Sequence, residues 1–206
     1  NYYPEDEDKY EKVLDIFVRT NSGGTKLGYS DLLFSRMKFY WDAAREEFGT
    51  LTEELNKRNF EFDTDFILKT SLVLFSSKTE EIRYNNVNNL SEGLMGHVRD
   101  EWPKICGAIK TCVGLLDQFL ITDKKALPSY NALIPIIYWV FKTNRQKYRH
   151  DSDTDTKELL SIRTWLVKAL LSGVFGGQAD TVLYKCKEAI DTATSPLYPA
   201  KQIQEK

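Results

Sequence analysis

The sequence predicts an all-α fold, an irregular multi-helix bundle of about seven to nine helices with no substantial sheet. Three observations carry that expectation. Apolar residues recur at three- and four-residue spacing in one segment after another, as a helix burying one face requires. The one short alternation of the strand kind, Phe60-Glu61-Phe62, ends too soon to make a strand. The richest glycine and asparagine clusters fall between the periodic segments, where turns belong.

The elements follow in order. Tyr10, Val13, Leu14 and Phe17 form one stripe, so a first helix is expected over 7–19, with acids at its start. The paired glycines Gly23 and Gly24 stop it. A second helix starts at Gly28 as N-cap with Asp31 at N3, and Leu27 and Leu32 stand where a hydrophobic staple closes. Its stripe is Leu33, Met37, Tyr40, Ala44 and Phe48. Gly49 is expected to interrupt it, with Leu51 and Leu55 in a short continuation. Asp63 caps a third segment over 64–76 that is apolar round most of its girth, hence buried. Asn85, Asn86, Asn88 and Asn89 mark a loop.

The cleanest stripe runs Trp102, Ile105, Ile109, Cys112, Val113, Leu116, Phe119, Leu120, with Pro103 placed in the first turn. Ser129 or Asn131 caps 132–142, where Pro135 is tolerated near the start. That segment is apolar all round and reads as the central helix. A basic stretch follows at 142–149, then an acidic loop at 151–156. The last two helices are expected over 157–171 and 179–192, joined by Gly173-Val174-Phe175-Gly176-Gly177-Gln178. Pro196 and Pro199 make the tail irregular. One continuous helical domain over 1–206 is expected, because Leu133 to Phe141 needs neighbours on every side.

Composition narrows the function classes. Apolar residues are 42% and charged residues 28% of 206, an ordinary globular balance. A chain this long buries roughly 70% of its unfolded surface and needs no metal or disulfide to fold. The net charge of −2 gives no global attraction to nucleic acid, so only a local patch could supply one. Cys106, Cys112 and Cys186 are an odd set without close pairing, which argues against a disulfide framework and for a cytoplasmic setting. No apolar run approaches the ~20 residues of a membrane span, and no leader is visible at the acidic start.

Two stretches carry candidate chemistry. Arg19, Asn21, Ser22, Gly23, Gly24 and Thr25 form a polar loop with two readings. Successive N–H groups of the Gly-Gly turn can nest an anion while Arg19 pairs with phosphate. The same residues can instead make a helix C-cap, with Gly23 left-handed and Asn21 satisfying free carbonyls. The loop is not a P-loop, since neither the first glycine nor a Lys-Ser/Thr order is in place. Lys142, Arg145, Lys147 and Arg149, with Tyr148 among them, could contact a phosphate backbone. They could equally be a solvated helix end with cations complementing the macrodipole.

Other patterns fall away. Asp151, Asp153 and Asp155 begin like a calcium loop, but Thr156 replaces the glycine and Ile162 the final glutamate, leaving a solvated loop. His97 with Glu101 lacks the second histidine of a zinc-protease motif, and two histidines without a nucleophile-elbow serine support no triad. Trp41, Trp102, Trp139 and Trp165 lie on expected helices and read as core. The glycine loop at 173–178 reads as a tight helix-to-helix turn.

In order, these segments resemble the helical second half of GmrSD-type restriction and phage-defence proteins, over roughly 15–190. The resemblance rests on Ile16-Phe17-Val18-Arg19-Thr20-Asn21-Ser22-Gly23-Gly24-Thr25-Lys26-Leu27 with Ser30-Asp31-Leu32-Leu33-Phe34-Ser35, and on Asp65-Phe66-Ile67-Leu68-Lys69. Asn131-Ala132-Leu133-Ile134-Pro135, Trp165-Leu166 and Val174-Phe175-Gly176-Gly177-Gln178 support it. It implies a non-catalytic helical domain whose partner is an upstream ParB-like domain of the same polypeptide, with the loop from Arg19 to Thr25 beside that domain's site. The Asp-Gly-Gln-Gln-Arg motif that family places upstream does not occur here, nor does an HNH-like histidine motif, since His97 and His150 stand in the wrong context. The resemblance therefore makes the chain a fragment without cofactor of its own; nucleotide and divalent metal would belong to the full-length protein. DNA and a second copy of the chain remain compatible partners, and a membrane is not expected.

Overall fold

The computed structural model describes residues 34, 37, 38, 40–83, 91–149 and 151–205. The expected helix over 7–19, the candidate loop Arg19, Asn21, Ser22, Gly23, Gly24, Thr25 and the asparagine cluster at 85–89 lie outside the described residues.

The fold is all-α. Among the described residues there are eight α-helices: α1 Ala44–Leu55, α2 Thr64–Phe75, α3 Glu92–Asp100, α4 Trp102–Gln118, α5 Ile134–Thr143, α6 Asp153–Ser172, α7 Ala179–Asp191 and α8 Ala200–Gln204. None of the described residues forms a strand, and the only pairing of that kind is one bridge between Asn59 and Asp123. None of the helices among them is long and apolar enough to cross a membrane.

Helix α5 sits at the centre. Its residues from Ile134 to Val140 are all buried, and it packs on α4, α2 and α7. Pro135 lies in its first turn, where its missing N–H costs nothing. A short 3₁₀ turn, Tyr130–Leu133, leads into it, where the sequence had the α-helix starting at 132. Helix α2 covers one flank. Asp63 accepts from the Phe66 amide at 2.8 Å, the expected cap. Helix α4 covers another, with Pro103 in its first turn and Ile105, Ile109, Cys112 and Leu116 buried.

Aromatic rings tie α1 to α4. Phe48 stacks on Trp102 at 4.5 Å, and Trp41 meets the same ring edge-on at 5.1 Å. This contact explains two departures from expectation. The chain breaks at Trp41, which lies outside any helix between two turns, rather than at Gly49, which α1 passes through without interruption. A mid-helix glycine costs about 1 kcal/mol, and burial of Phe48, Leu51 and Leu55 on either side of Gly49 outweighs that.

Two further departures concern helix ends. Helix α6 begins at Asp153, inside the acidic stretch expected as a solvated loop; Ser152 caps it, accepting from the Asp155 amide at 3.3 Å. Acids in a first turn are favoured by the macrodipole, so Asp153 and Asp155 belong to the helix. The tail through Pro196 and Pro199 is irregular as expected, but it closes in a last helix: α8 packs on α6 and α7, with Tyr198 and Ile203 buried.

Helix α4 ends before Phe119, and Leu120 leaves the stripe. Leu120 takes φ 61° and is 78% exposed. The Leu120 amide donates to Asp117 at 3.1 Å and the Ile121 amide to Leu116 at 2.9 Å, the Schellman pattern. That pattern wants glycine at the left-handed position, where a side chain costs about 1–2 kcal/mol. Leu120→Gly is therefore expected to stabilise the fold by about 0.5–1 kcal/mol, after subtracting the unfolded-state entropy glycine adds. Urea unfolding measures this; a destabilised variant would contradict the strain argument.

Candidate functional site

The chain leaves the buried helix α5 through Asn144 in the left-handed region, φ 52°. Residues 145–149 then run without helix, so of the four cations only Lys142 belongs to the helix end. The segment is a strap. The Thr111 hydroxyl on α4 donates to the Gln146 carbonyl at 3.0 Å, and the Arg149 amide donates to the Asp155 carboxylate on α6 at 2.7 Å.

The basic residues of the strap are engaged separately. Arg145 pairs with Asp155 at 3.1 Å and with Glu158. Glu158 is fully buried and also accepts from the Trp139 indole N–H. Lys142, on the last turn of α5, pairs with Asp191 at 2.9 Å and donates to the Ile190 carbonyl at 3.1 Å. Arg149 pairs with Asp151 at 2.8 Å and is otherwise solvated. Lys147 is exposed. Three of the four cations predicted as one patch thus serve three different carboxylate clusters and are already matched by charge from this chain.

Sequence reasoning missed Glu158 and Asp155 because acids were read as solvated. The signal was available. Glu158 falls in helical phase with Ile162, Trp165, Leu166 and Ala169, the buried face of α6. A carboxylate in that phase must be paired.

The other perturbed groups are turned toward inertness. Burial pushes the Cys106 thiol up to about 11 and that of Cys186 up to about 12, and raises Cys112 further. Thiols so placed are packing groups, not nucleophiles. Burial also raises the phenols of Tyr138, Tyr148 and Tyr198. Among the described residues no three His, Cys, Asp or Glu side chains gather to hold a metal ion. The described tryptophans are core: Trp41, Trp102, Trp139 and Trp165 are all buried. Gly173, φ 62°, ends α6 in a left-handed turn, as expected of the 173–178 loop.

Two surfaces remain open. Leu160, Val167, Leu171 and Val174 are exposed along the outer side of α6 and its exit. Beside them lies a groove of about 430 Å³ between α6 and α7, closed at one end by α8. Neither a family model nor a curated protein matches the chain.

Arg145→Ala should destabilise the protein by about 3–5 kcal/mol, since it strands the Glu158 charge in the interior. Arg145→Met with Glu158→Leu should recover most of that loss. Chemical denaturation of both variants checks it; a single variant costing under 1 kcal/mol would show that Glu158 is not held by Arg145.

Asp191 supplies a pH test. Burial would raise its carboxyl, but hydrogen bonds from Tyr138, Lys187 and Lys142 and the charge of Lys187 outweigh it and hold it below the ordinary value. A lowered folded value adds stability that is full above the unfolded value of about 3.9 and lost as pH falls through the folded one. Asp191→Asn should cost about 1 kcal/mol at pH 7, a screened and half-exposed contribution, and the gap to the parent should close below pH 4. Paired urea curves at pH 7 and pH 3 measure it.

Proposed function

We propose that this chain is the non-catalytic helical support of a prokaryotic GmrSD-like defence or restriction protein, carrying an upstream nucleotide-handling ParB-like domain. The observation that supports this most is the two-sided character of α6. Its inner face, Ile162, Trp165, Leu166 and Ala169, is buried in the core. Its outer side carries Leu160, Val167 and Leu171 at 64%, 40% and 83% exposure, followed by Val174 at 44%. These positions are spaced by seven, four and three residues and so line one edge. A surface helix has one apolar face; a second one marks a contact made with something else. In this reading the upstream domain covers it.

Two further points favour a support over an enzyme. The segments Trp165-Leu166 and 174–178, which carry part of the resemblance, belong to this same helix and its exit. The thiols and phenols with shifted values are all shifted toward their neutral, unreactive forms. The loop of Arg19, Asn21, Ser22, Gly23, Gly24 and Thr25 keeps its assigned place as the contribution to the shared site. A nucleic-acid module built on Lys142, Arg145, Lys147 and Arg149 has weaker support, because binding phosphate there would compete with Asp191, Glu158, Asp155 and Asp151.

The purified chain is expected to release no phosphate from ATP or GTP with Mg²⁺ or Mn²⁺ above the protein-free blank. Metal-dependent hydrolysis that disappears in Arg19→Ala would overturn the reading. So would a reading frame upstream of Asn1 without Asp-Gly-Gln-Gln-Arg.

A further inference from the structure

The groove between α6 and α7 has an apolar floor. Trp165, Ala169, Phe175 and Ile203 are each buried to 8% exposure or less, and Phe175 meets Trp165 edge-on at 6.4 Å. Val174 carries the apolar lining out to the mouth, where it is 44% exposed. The walls bring one cation each: Lys168 from α6 and Lys185 from α7. Among the described residues no carboxylate lines the groove. Of the acids on these helices, Asp180 pairs with Lys69 at 2.6 Å and Glu158 with Arg145, while Glu188, one turn on from Lys185, is exposed. Neither Lys168 nor Lys185 forms an ion pair among the described residues, whereas Lys187, two residues on from Lys185, is held by Asp191 at 2.9 Å.

We infer that this groove binds an amphipathic organic anion, an unbranched apolar chain ending in a carboxylate, with the chain on Trp165, Ala169, Phe175 and Ile203 and the carboxylate between Lys168 and Lys185. The volume decides the size of the ligand. About 430 Å³, at the ~30 Å³ that a water-sized group occupies, holds roughly a dozen heavy atoms, which is a medium-chain acid rather than a membrane lipid. It also falls within the usual range for small-molecule sites. The chemistry decides its polarity. Lysines extend along an apolar wall and keep their ammonium groups at the water's edge. Two such groups, with no acid in the lining, favour a single negative charge at the mouth and disfavour a cation or a zwitterion. The floor supplies affinity through the apolar surface it removes from water. This site shares only Val174 with the edge assigned above to the upstream domain and does not rest on that reading.

Decanoate, kept below its micelle concentration, is the probe, titrated by calorimetry against the full chain. Saturable one-to-one binding is expected, at least tenfold tighter than that of decanol, which has the chain without the charge. Butyrate, which has the charge without the chain, should not bind measurably. Lys168→Glu with Lys185→Glu should weaken decanoate at least tenfold and leave decanol unchanged. Both lysines are exposed, so the variant is expected to keep its far-ultraviolet circular dichroism and melting temperature. Ala169→Phe, which fills the floor, should weaken both ligands; if it unfolds, Val174→Trp at the exposed mouth replaces it. The inference is overturned if decanol binds as tightly as decanoate, if the double lysine variant binds decanoate unchanged, or if adsorption to phosphatidylglycerol vesicles occurs without saturable decanoate binding.

Discussion

Helix α5 has no polar residue between Ile134 and Tyr138, and that constraint organises the molecule. A helix that is apolar on every side must be enclosed, and α2, α4 and α7 enclose it. Enclosure sets a problem at its exit. The chain must pass from a dry interior to solvent within a few residues, carrying backbone groups that need partners. The strap at 145–149 answers this. It borrows a hydroxyl from α4 and a carboxylate from α6, and its Arg145 brings the buried Glu158 a counter-charge. The positive residues are dense there because the exit is dense with acids from α6 and α7.

This reverses the natural reading of a basic run. Taken as sequence, Lys142, Arg145, Lys147 and Arg149 are four cations in eight positions. In the fold their environments differ. Lys142 closes a cluster with Tyr138, Lys187 and Asp191. Arg145 lies over Tyr148 and reaches inward to Asp155 and Glu158. Arg149 pairs with Asp151 in the turn before α6. Of these, the Arg145 pairs with Asp155 and Glu158 are the buried ones, weak sources of net stability but expensive to half-remove. Their effect is to fix where α6 starts relative to α5, which in turn fixes which face of α6 looks outward.

Much of the fold was legible because it rests on local rules. Asp63 as a cap, Pro103 and Pro135 in first turns, and the unbroken apolarity of α5 follow from donors, rings and periodicity within a few residues. What was not legible rests on distant partners. Gly49 continues a helix because Phe48 stacks on Trp102, 54 positions away. Asp155 and Glu158 read as solvent-facing until Arg145 and Trp139 stand beside them. The tail is irregular at its prolines as expected, but its docking was not legible: Tyr198 packs edge-on against Trp139 and Trp165. Of the candidate site residues, the cations of the strap are placed, and the six residues from Arg19 to Thr25 lie outside the described residues. Lys168 and Lys185 could not have been paired by spacing, because only the turn between α6 and α7 sets them on one groove.

That turn also explains why α6 is the helix where function is to be sought. A left-handed glycine turns the chain out of α6, α7 begins six residues after Gly173, and the groove lies between the two helices. Phe175 meets Trp165 in its floor, and Ile203 of α8 also lines it. A groove that the core needed closed would be filled by larger side chains than Ala169 and Ser172. Small residues at these two positions, with lysines on both walls and leucines on the outer edge, keep apolar surface open at a cost in burial that nothing in the interior requires. The apolar surface that the described residues leave open along α6 is therefore the feature on which both proposed contacts rest.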